Sequence, residues 1–460
     1  MKNLIFRTAK IMLFLLFACS SMVFAKVSAD EAENLKSNLT PIGAERAGNA
    51  DGSIPPWEGG LSSVPAGLDY KGPGTLRPDP YAQDKVLYTI NAGNAGQYAD
   101  KLSEGVKAMM ERYPDTFRID VYPTRRSAAF PQYVYDNTYA NATLCETTAD
   151  RLGIVTNGGS KGLPFPIPNN AEEVMFNNNL GFQGGALNGD VAFSVVQANG
   201  TRADSLLNWN LKYPWYDPNA GKDSEFARMG LVSIAYTKVP AKLKGNVALV
   251  WDPLNQSVEP RSAWSYLPGQ RRVRRAPTVA YDTPNSTASG LINYDDIYVF
   301  NGALDRYDWK LVGKKELFIP YNDYAASFAS IDDLMTPRHF NPDYMRWELH
   351  RVWVVEASLK EGKRHAVAKR TIYLDEDSWM AALGDSYDSH GKLWRTYWAS
   401  RLQAYEVPSN IGTAQFGFDF QRSDYAGLYM INGLPKQPVY GVYPPDSVFT
   451  PDYVRTLGTR

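Results

Sequence analysis

Two clusters of neighbouring carboxylates are the residues of this 460-residue sequence whose types and spacing best suit chemistry. They are Asp295-Asp296 and Asp375-Glu376-Asp377. Neighbouring carboxylates can bind calcium, or act as the acid and base of glycoside hydrolysis. At turns, however, such side chains more often cap backbone N–H groups or pair with arginine. We expect the structural role; the alternative is a carbohydrate- or ester-active enzyme that uses these residues as surface carboxylates.

Other motifs for catalysis or metal binding are sparse. Zinc proteases carry two histidines four residues apart, and none of the four histidines here has such a partner. The two cysteines form no cluster. The histidines are His339, His350, His365 and His390. The net charge of −1 gives no overall field that attracts nucleic acid. We therefore predict a protein that is not an enzyme and has no metal, cofactor or nucleic-acid partner.

The stretch AWSYLPGQRRVRRAP at 263–277 combines two aromatic residues, a Pro-Gly turn and four arginines. Trp264 and Tyr266 are two positions apart, so both point to the same face of a strand. After the turn, Arg271 and Arg275 share a face with Val273. The pattern predicts a β-hairpin.

The four arginines of this hairpin repel one another unless anions balance them. One interpretation is a solvated sheet edge with surface ion pairs. The other is a polar rim around a hydrophobic cavity, in which Arg271 and Arg275 lie nearest the interior and meet phosphate or carboxylate groups. In that case Asp295 and Asp296 are the nearest candidate partners in sequence, because a buried guanidinium needs an anion.

The first 25 residues have the pattern of a secretory signal peptide. Basic residues precede a short apolar run at 11–18, and Val23 and Ala25 suit the pockets of signal peptidase. Cleavage after Ala25 would release the chain into the periplasm of a Gram-negative cell. The alternative is a lipobox that ends at Cys19, which would anchor the chain through a lipid.

The remaining chain divides into two predicted regions. Residues 26–90 form an extended Gly/Pro-rich arm, in which Trp57 is the expected aromatic anchor. Residues 91–460 form a single domain. Apolar residues at helical spacing predict a helix at 94–113, and an alternating pattern predicts a strand at 117–121.

From about residue 190 onwards, turn formers separate runs of β-branched and aromatic residues. This pattern predicts a mainly β (α+β) fold with one large curved antiparallel sheet, covered by helices. Curved sheets with aromatic inner faces can enclose apolar pockets, although the same residues can simply fill a core. The candidate ligand-binding residues are Trp251, Trp264, Tyr266, Trp353 and Phe418, together with Arg271 and Arg275.

Several segments resemble the LolA/LolB-like superfamily of periplasmic lipoprotein carriers. WSYLPGQRRVRRAP (264–277) and STASGLINYDDIYVF (286–300) are similar to its Arg-rich strand pair and the motif that follows. KRTIYLDEDSW (369–379) and DSYDSHGKLW (385–394) resemble its next hairpin. PIGAERAGNADGSIPPWEGG (41–60) narrows the match to a larger branch, related to outer membrane lipoprotein-sorting proteins and catalogued as a domain of unknown function.

The resemblance implies an incomplete antiparallel barrel, closed by helices, whose concave face shelters acyl chains. It also implies a non-enzymatic carrier for a hydrophobic or acylated molecule, working in envelope lipid or lipoprotein transport. The partners implied are an inner-membrane exporter of the resistance-nodulation-division type and an outer-membrane protein.

Overall fold

A computed structural model describes residues 27–220, 224–276 and 282–458 of the chain. The predicted signal peptide and Cys19 lie outside the described residues. Across the three described ranges, no helix combines the length and the apolar character that crossing a membrane requires.

Most strands of the protein join one sheet of 16 strands. The strands are β1 (Tyr88–Ile90), β2 (Ile119–Val121), β3 (Glu146–Thr147), β4 (Ile154–Val155), β5 (Ala186–Val196), β6 (Arg202–Lys212), β7 (Met229–Val239), β8 (Val247–Pro253), β9 (Ser262–Leu267), β10 (Arg272–Arg275), β11 (Tyr307–Pro320), β12 (Trp347–Leu359), β13 (Lys369–Asp375), β14 (Ala381–Tyr387), β15 (Leu393–Ala404), β16 (Ser409–Asp419), β17 (Tyr425–Met430) and β18 (Val439–Tyr440). Only β3 and β4 form a separate pair within the described chain.

The strand order is β1-β2-β12-β13-β14-β15-β16-β17-β5-β6-β7-β8-β9-β10, with β11 on β12 and β18 on β5. Two antiparallel meanders, β5 to β10 and β11 to β17, therefore meet where β17 pairs with β5. Strand β2 touches β12 in parallel orientation. The predicted mainly β fold is confirmed: the sheet is large and is not closed into a barrel.

Short helices cover the sheet. The α-helices are α1 (Ala29–Ala32), α2 (Glu104–Arg112), α3 (Gln132–Leu144), α4 (Ala171–Asn179), α5 (Tyr324–Phe328), α6 (Ile331–Leu334) and α7 (Pro451–Gly458). The 3-10 helices are Glu33–Lys36, Ala95–Lys101, Pro214–Tyr216, Ala241–Leu243, Tyr294–Asp296, Pro342–Tyr344 and Asp446–Phe449. Helices α3 and α4 contribute to the largest apolar cluster, α2 to a second, and α7 to a third on β7, β8 and β9.

The helix predicted at 94–113 is in fact two elements. A 3-10 helix, Ala95–Lys101, is followed by extended backbone at Leu102 (φ −118°, ψ 140°) and then by α2. The Ser103 hydroxyl accepts a hydrogen bond from the N–H of Val106 at 3.2 Å, so it caps a new helix at this point. The apolar spacing predicted the buried face correctly but missed the break, because a capping serine favours a fresh helix start.

The predicted aromatic anchor at Trp57 and the predicted hairpin can both be located in the structure. The Trp57 indole donates a hydrogen bond to the carbonyl oxygen of Ala128 at 3.1 Å, which anchors the irregular N-terminal stretch. The arm boundary at residue 90 stays a prediction. Strands β9 and β10 form the predicted hairpin, with Arg275 opposite Trp264 and no further strand described beyond β10.

Candidate ligand-binding cleft

A cleft lies on one face of β5 to β8 and β17, beneath a chain segment that crosses above these strands. We call this segment, residues 285–301, the covering segment. The cleft has an empty volume of about 790 Å³, part of which is open to solvent. Its walls are mainly apolar side chains from the strands and from the covering segment.

Strand alternation supplies the space in the cleft. Ser233 and Ala235 of β7 and Ala248 of β8 line it. Because successive side chains of a strand point to opposite faces, Val232 and Ile234 lie on the other face, in the apolar cluster that α7 completes. At these positions small residues face the cleft and larger residues face the other way, which leaves room on the cleft side.

Four aromatic side chains form the base of the cleft. The ring of Tyr429 lies 4.8 Å from Phe193 and 4.9 Å from Trp209, measured between centroids. Tyr298, from the covering segment, stacks on Tyr429 at 5.5 Å. Offset aromatic contacts of this kind give the cleft an apolar floor.

One ion pair lies in the wall of the cleft. Arg261 donates two hydrogen bonds to the carboxylate of Asp252, at 2.5 and 2.9 Å, and both side chains are buried. Burial lowers the pKa of Arg261, but the charge and hydrogen bonds of Asp252 outweigh that effect and raise it above its ordinary value. The pair is therefore charged and internally balanced.

A smaller inner cavity lies on the far side of the aromatic base. It shares Trp209, Tyr298 and Tyr429 with the cleft and has an empty volume of about 370 Å³, which includes space open to solvent. Its remaining lining includes Arg401 of β15 and Tyr440 of β18. The aromatic residues thus lie between two neighbouring spaces, of which the inner one is less open to solvent.

Three of the predicted ligand-binding residues lie on the opposite face of the sheet. The rings of Trp251 and Trp264 are 4.6 Å apart, and the Trp251 indole donates a hydrogen bond to the carbonyl oxygen of Phe449 at 2.8 Å. Tyr266 is buried in the same cluster, under α7. Alternation correctly put Trp264 and Tyr266 on one face, and that face packs on the C-terminal helix.

The predicted arginine rim is wrong in its geometry. Arg271 and Arg275 are both exposed, at the turn and on the outermost described strand of the sheet. Arg275 stacks on Trp264 at 5.9 Å and donates a hydrogen bond to the Ser262 hydroxyl at 3.1 Å. The hairpin is a solvated edge, where charged side chains discourage pairing with another chain.

The last two predicted residues, Trp353 and Phe418, also lie outside the cleft lining. Trp353 stacks on Trp379 at 5.8 Å, and the Lys314 ammonium lies 4.8 Å from its ring. Phe418 is buried in the cluster beneath α2, with its ring 5.8 Å from that of Tyr113. Phe418 fills the core and half-buried Trp353 packs against it, which was the stated alternative for every aromatic candidate.

The carboxylates Asp295 and Asp296 are buried and paired with arginine, so they are not surface groups. Arg370 of β13 lies 2.8 Å from Asp295 and 2.5 Å from Asp296. Burial raises the pKa of Asp296, but the charges of Arg370 and Arg395 lower it below its ordinary value. These residues tie the covering segment to the sheet and do not reach the hairpin arginines.

The second carboxylate cluster is also buried. Arg126 donates hydrogen bonds to both oxygens of Asp377, at 2.8 and 2.6 Å, and Lys314 donates to Glu376 at 2.8 Å. His350, Asp375 and Asp377 bring potential metal-ligating atoms within 4.8 Å of one another. Arg126 already occupies both oxygens of Asp377, so the group is better suited to its ion pairs than to a cation.

The segment at 158–162 has the Gly-x-Ser-x-Gly spacing of a hydrolase nucleophile elbow. Such an elbow requires a sharp turn from a strand into a helix. Here the segment is an irregular loop, in which the Ser160 N–H donates to Asn141 and the Asn141 amide donates back to the Ser160 carbonyl. The spacing therefore lacks the structural context of a nucleophile.

The residues that line the cleft were missed by the sequence prediction, which favoured the largest aromatic side chains. The sequence did contain a signal: small residues occur at alternate positions of LVSIAYTKV and GNVALVW. Residues at alternate positions share one face of a strand, so these mark the face that is not filled by large side chains. No sequence signal identifies Arg401, because its environment depends on strands distant along the chain.

The chain matches a family model and a relative over most of its length. The model described as "Protein of unknown function (DUF1329)" matches residues 89–455. The uncharacterised protein PA3922 of Pseudomonas aeruginosa is 41% identical over 464 residues, which cover 99% of this chain and 100% of that protein.

Solved structures with low sequence identity are also similar to the chain. A DUF1329 family protein from Desulfovibrio piger has a TM-score of 0.42 and 14% identity, over 61% of this chain and 95% of its own. A domain from Vibrio parahaemolyticus, described as outer membrane lipoprotein-sorting, has a TM-score of 0.42 and 13% identity, over 62% and 97%. A LolA superfamily protein from Nitrosomonas europaea has a TM-score of 0.36 and 14% identity, over 62% and 100%.

Proposed function

The chain belongs to the DUF1329 family, and we propose that it is a non-enzymatic binding protein that carries a hydrophobic or acylated molecule in the cleft. The predicted signal peptide supports a periplasmic location for this activity. Its role is then in envelope lipid or lipoprotein transport, with an inner-membrane resistance-nodulation-division exporter and an outer-membrane protein as partners.

The observation that carries the proposal is unfilled apolar space between the sheet and the covering segment. Protein interiors are packed as densely as organic crystals, with few voids larger than a water molecule. The cleft instead leaves room over an aromatic floor, within an empty volume of about 790 Å³ that includes space open to solvent. Each methylene group of a ligand that leaves water for such a site contributes about 0.8 kcal/mol. A ligand with a short alkyl chain would therefore bind measurably.

The polar groups nearby support binding rather than catalysis. The only carboxylate among the described lining residues is that of Asp252, and Arg261 occupies both of its oxygens. A general base must reach the proton that it removes, and a carboxylate held in a bidentate ion pair is poorly placed to do so.

A cleft-filling substitution tests the proposal. Ala235→Phe places a ring in the cleft, whereas Ala203→Phe makes the same change at an exposed position of β6 outside it. We expect delipidated wild type and Ala203→Phe to bind N-phenyl-1-naphthylamine equally, and Ala235→Phe to bind at least about tenfold more weakly. Thermal melts establish that each variant is folded. Equal binding by both folded variants would contradict the proposal.

A further inference from the structure

Arg401 is a buried arginine with incomplete pairing. Its Nη1 donates to the carbonyl oxygen and the side-chain oxygen of Asn410, at 3.1 and 3.4 Å. Its Nε and Nη2 have no hydrogen-bond partner in the part of the chain that the structure describes. Only 2% of the residue is exposed, so bulk water does not serve these donors.

Other buried arginines of this fold are paired with carboxylates. Arg370 is equally buried and lies within 2.8 Å of Asp295 and 2.5 Å of Asp296. Arg126 and Arg261 each hold a carboxylate through two hydrogen bonds. A buried charge without a partner is strongly unfavourable, so the exception at Arg401 calls for an anion that comes from outside the chain.

The unpartnered donors lie where a ligand could use them. Arg401 lines the inner cavity together with Tyr440, whose hydroxyl also has no partner among the described residues. Nε and Nη2 are the two donors on one edge of the guanidinium, and this edge matches the two oxygens of a carboxylate. Burial lowers the pKa of Arg401 to about 10, so the group is still a cation at neutral pH.

Several side chains line both the inner cavity and the cleft and lie between them. Tyr298 and Tyr429, which stack on each other, belong to this shared wall. Both have left-handed backbone conformations, with φ of 53° and 54°, which are uncommon for residues other than glycine. A displacement of these rings would join the two spaces into one site with an apolar outer part and a cationic end.

We propose that this joined site binds an aliphatic carboxylic acid, with the carboxylate on Arg401 and Tyr440 and the chain in the cleft. The inference rests on the proposed function and specifies its ligand class. A carboxylate carries one charge and neutralises one guanidinium. A dianionic phosphate would leave excess negative charge in an enclosed, largely apolar space, which disfavours it.

Three C12 probes of equal chain length test the assignment on delipidated protein: dodecanoate, 1-dodecanol and dodecyl phosphate. In titration calorimetry, we expect wild type to bind dodecanoate about tenfold more tightly than either of the others. Arg401→Met should remove that preference and leave the affinity for 1-dodecanol within about twofold. The control Arg275→Met, at the exposed sheet edge, should behave as wild type.

Thermal stability separates ligand binding from a structural role. Without ligand, Arg401→Met should melt at or above the wild-type temperature, because it removes an unpaired buried charge. Dodecanoate should then raise the melting temperature of wild type but not of the variant. If Arg401→Met does not fold, Arg401→Lys replaces it; that variant keeps the charge and loses the two-donor edge, so it should bind dodecanoate about fivefold more weakly.

The outcomes separate this inference from the proposed function. Failure of wild type to bind any probe would overturn both. Equal affinity for the acid and the alcohol, as expected if only water fills the inner cavity, would overturn the carboxylate assignment and leave the carrier proposal intact. Tighter binding of dodecyl phosphate, or unchanged dodecanoate affinity in Arg401→Met or Arg401→Lys, would also overturn the assignment.

Discussion

Removal of the Arg370 side chain should loosen the covering segment from the sheet. Arg370→Met leaves Asp295 with His365, whose Nε2 lies 3.1 Å away, and leaves Asp296 with Arg395 at 3.6 Å. Breaking a buried ion pair by removing one partner costs about 3–5 kcal/mol. Because each carboxylate keeps one basic neighbour, we expect the lower end of that range, about 3 kcal/mol.

Urea unfolding measures this change in global stability, and amide hydrogen exchange of residues 285–301 measures local opening. A loss of about 3 kcal/mol corresponds to roughly a hundredfold increase in the open population if the covering segment detaches alone. The matched control is Lys369→Met, next to Arg370 on β13. Its ion pair with Glu356 is partly exposed, with 43% and 30% of the two side chains accessible, so we expect a change below about 1 kcal/mol.

Equal effects of Arg370→Met and Lys369→Met would refute this reasoning. Unchanged exchange of residues 285–301 in Arg370→Met would refute the anchoring role even if the global stability fell. The triple variant Arg370→Met/Asp295→Asn/Asp296→Asn removes all three charges and should recover part of the loss, because an uncompensated buried charge is the main cost.

Substitutions of buried Asp323, of Trp264 under α7 and of exposed Arg271 test three further points. Burial raises the pKa of Asp323 from 3.8 to about 8, so the folded state binds this proton more tightly than the unfolded state does. The free energy of unfolding should therefore fall as the pH rises from about 4 to about 8. In urea unfolding, this pH dependence should be weaker for Asp323→Asn. Trp264→Ala should lower stability by about 2–4 kcal/mol, because the ring packs under α7, while binding of N-phenyl-1-naphthylamine stays unchanged in the folded variant. Arg271→Glu should change the free energy of unfolding by less than about 0.5 kcal/mol in urea unfolding, because the residue is exposed; a large loss would instead support the rim interpretation.

Local pattern was sufficient for much of the fold. Alternation predicted the β9–β10 hairpin and the shared face of Trp264 and Tyr266, because both depend on neighbouring residues. Segment-level resemblance predicted the branch of proteins catalogued as a domain of unknown function, and the match to DUF1329 over residues 89–455 confirms that membership. The family match rests on long stretches of sequence, so it does not depend on any single contact.

Local pattern could not predict the candidate site, because the site depends on contacts between distant parts of the chain. Alternation defines two faces of the β7–β9 sheet but not which one α7, at Pro451–Gly458, will cover. The partner of Asp295 is Arg370, many residues later, rather than the arginines of the preceding hairpin. The unpaired edge of Arg401 appears only when every neighbour is in place.

Native mass spectrometry of protein purified from the periplasm tests the central claim most directly. The account predicts that wild type carries a hydrophobic molecule, that solvent extraction releases it, and that Ala235→Phe produced in the same way carries much less of it than Ala203→Phe. Wild-type protein that is empty both as isolated and after incubation with dodecanoate would contradict the account. So would equal ligand occupancy in Ala235→Phe and Ala203→Phe, because the cleft could not then be the site.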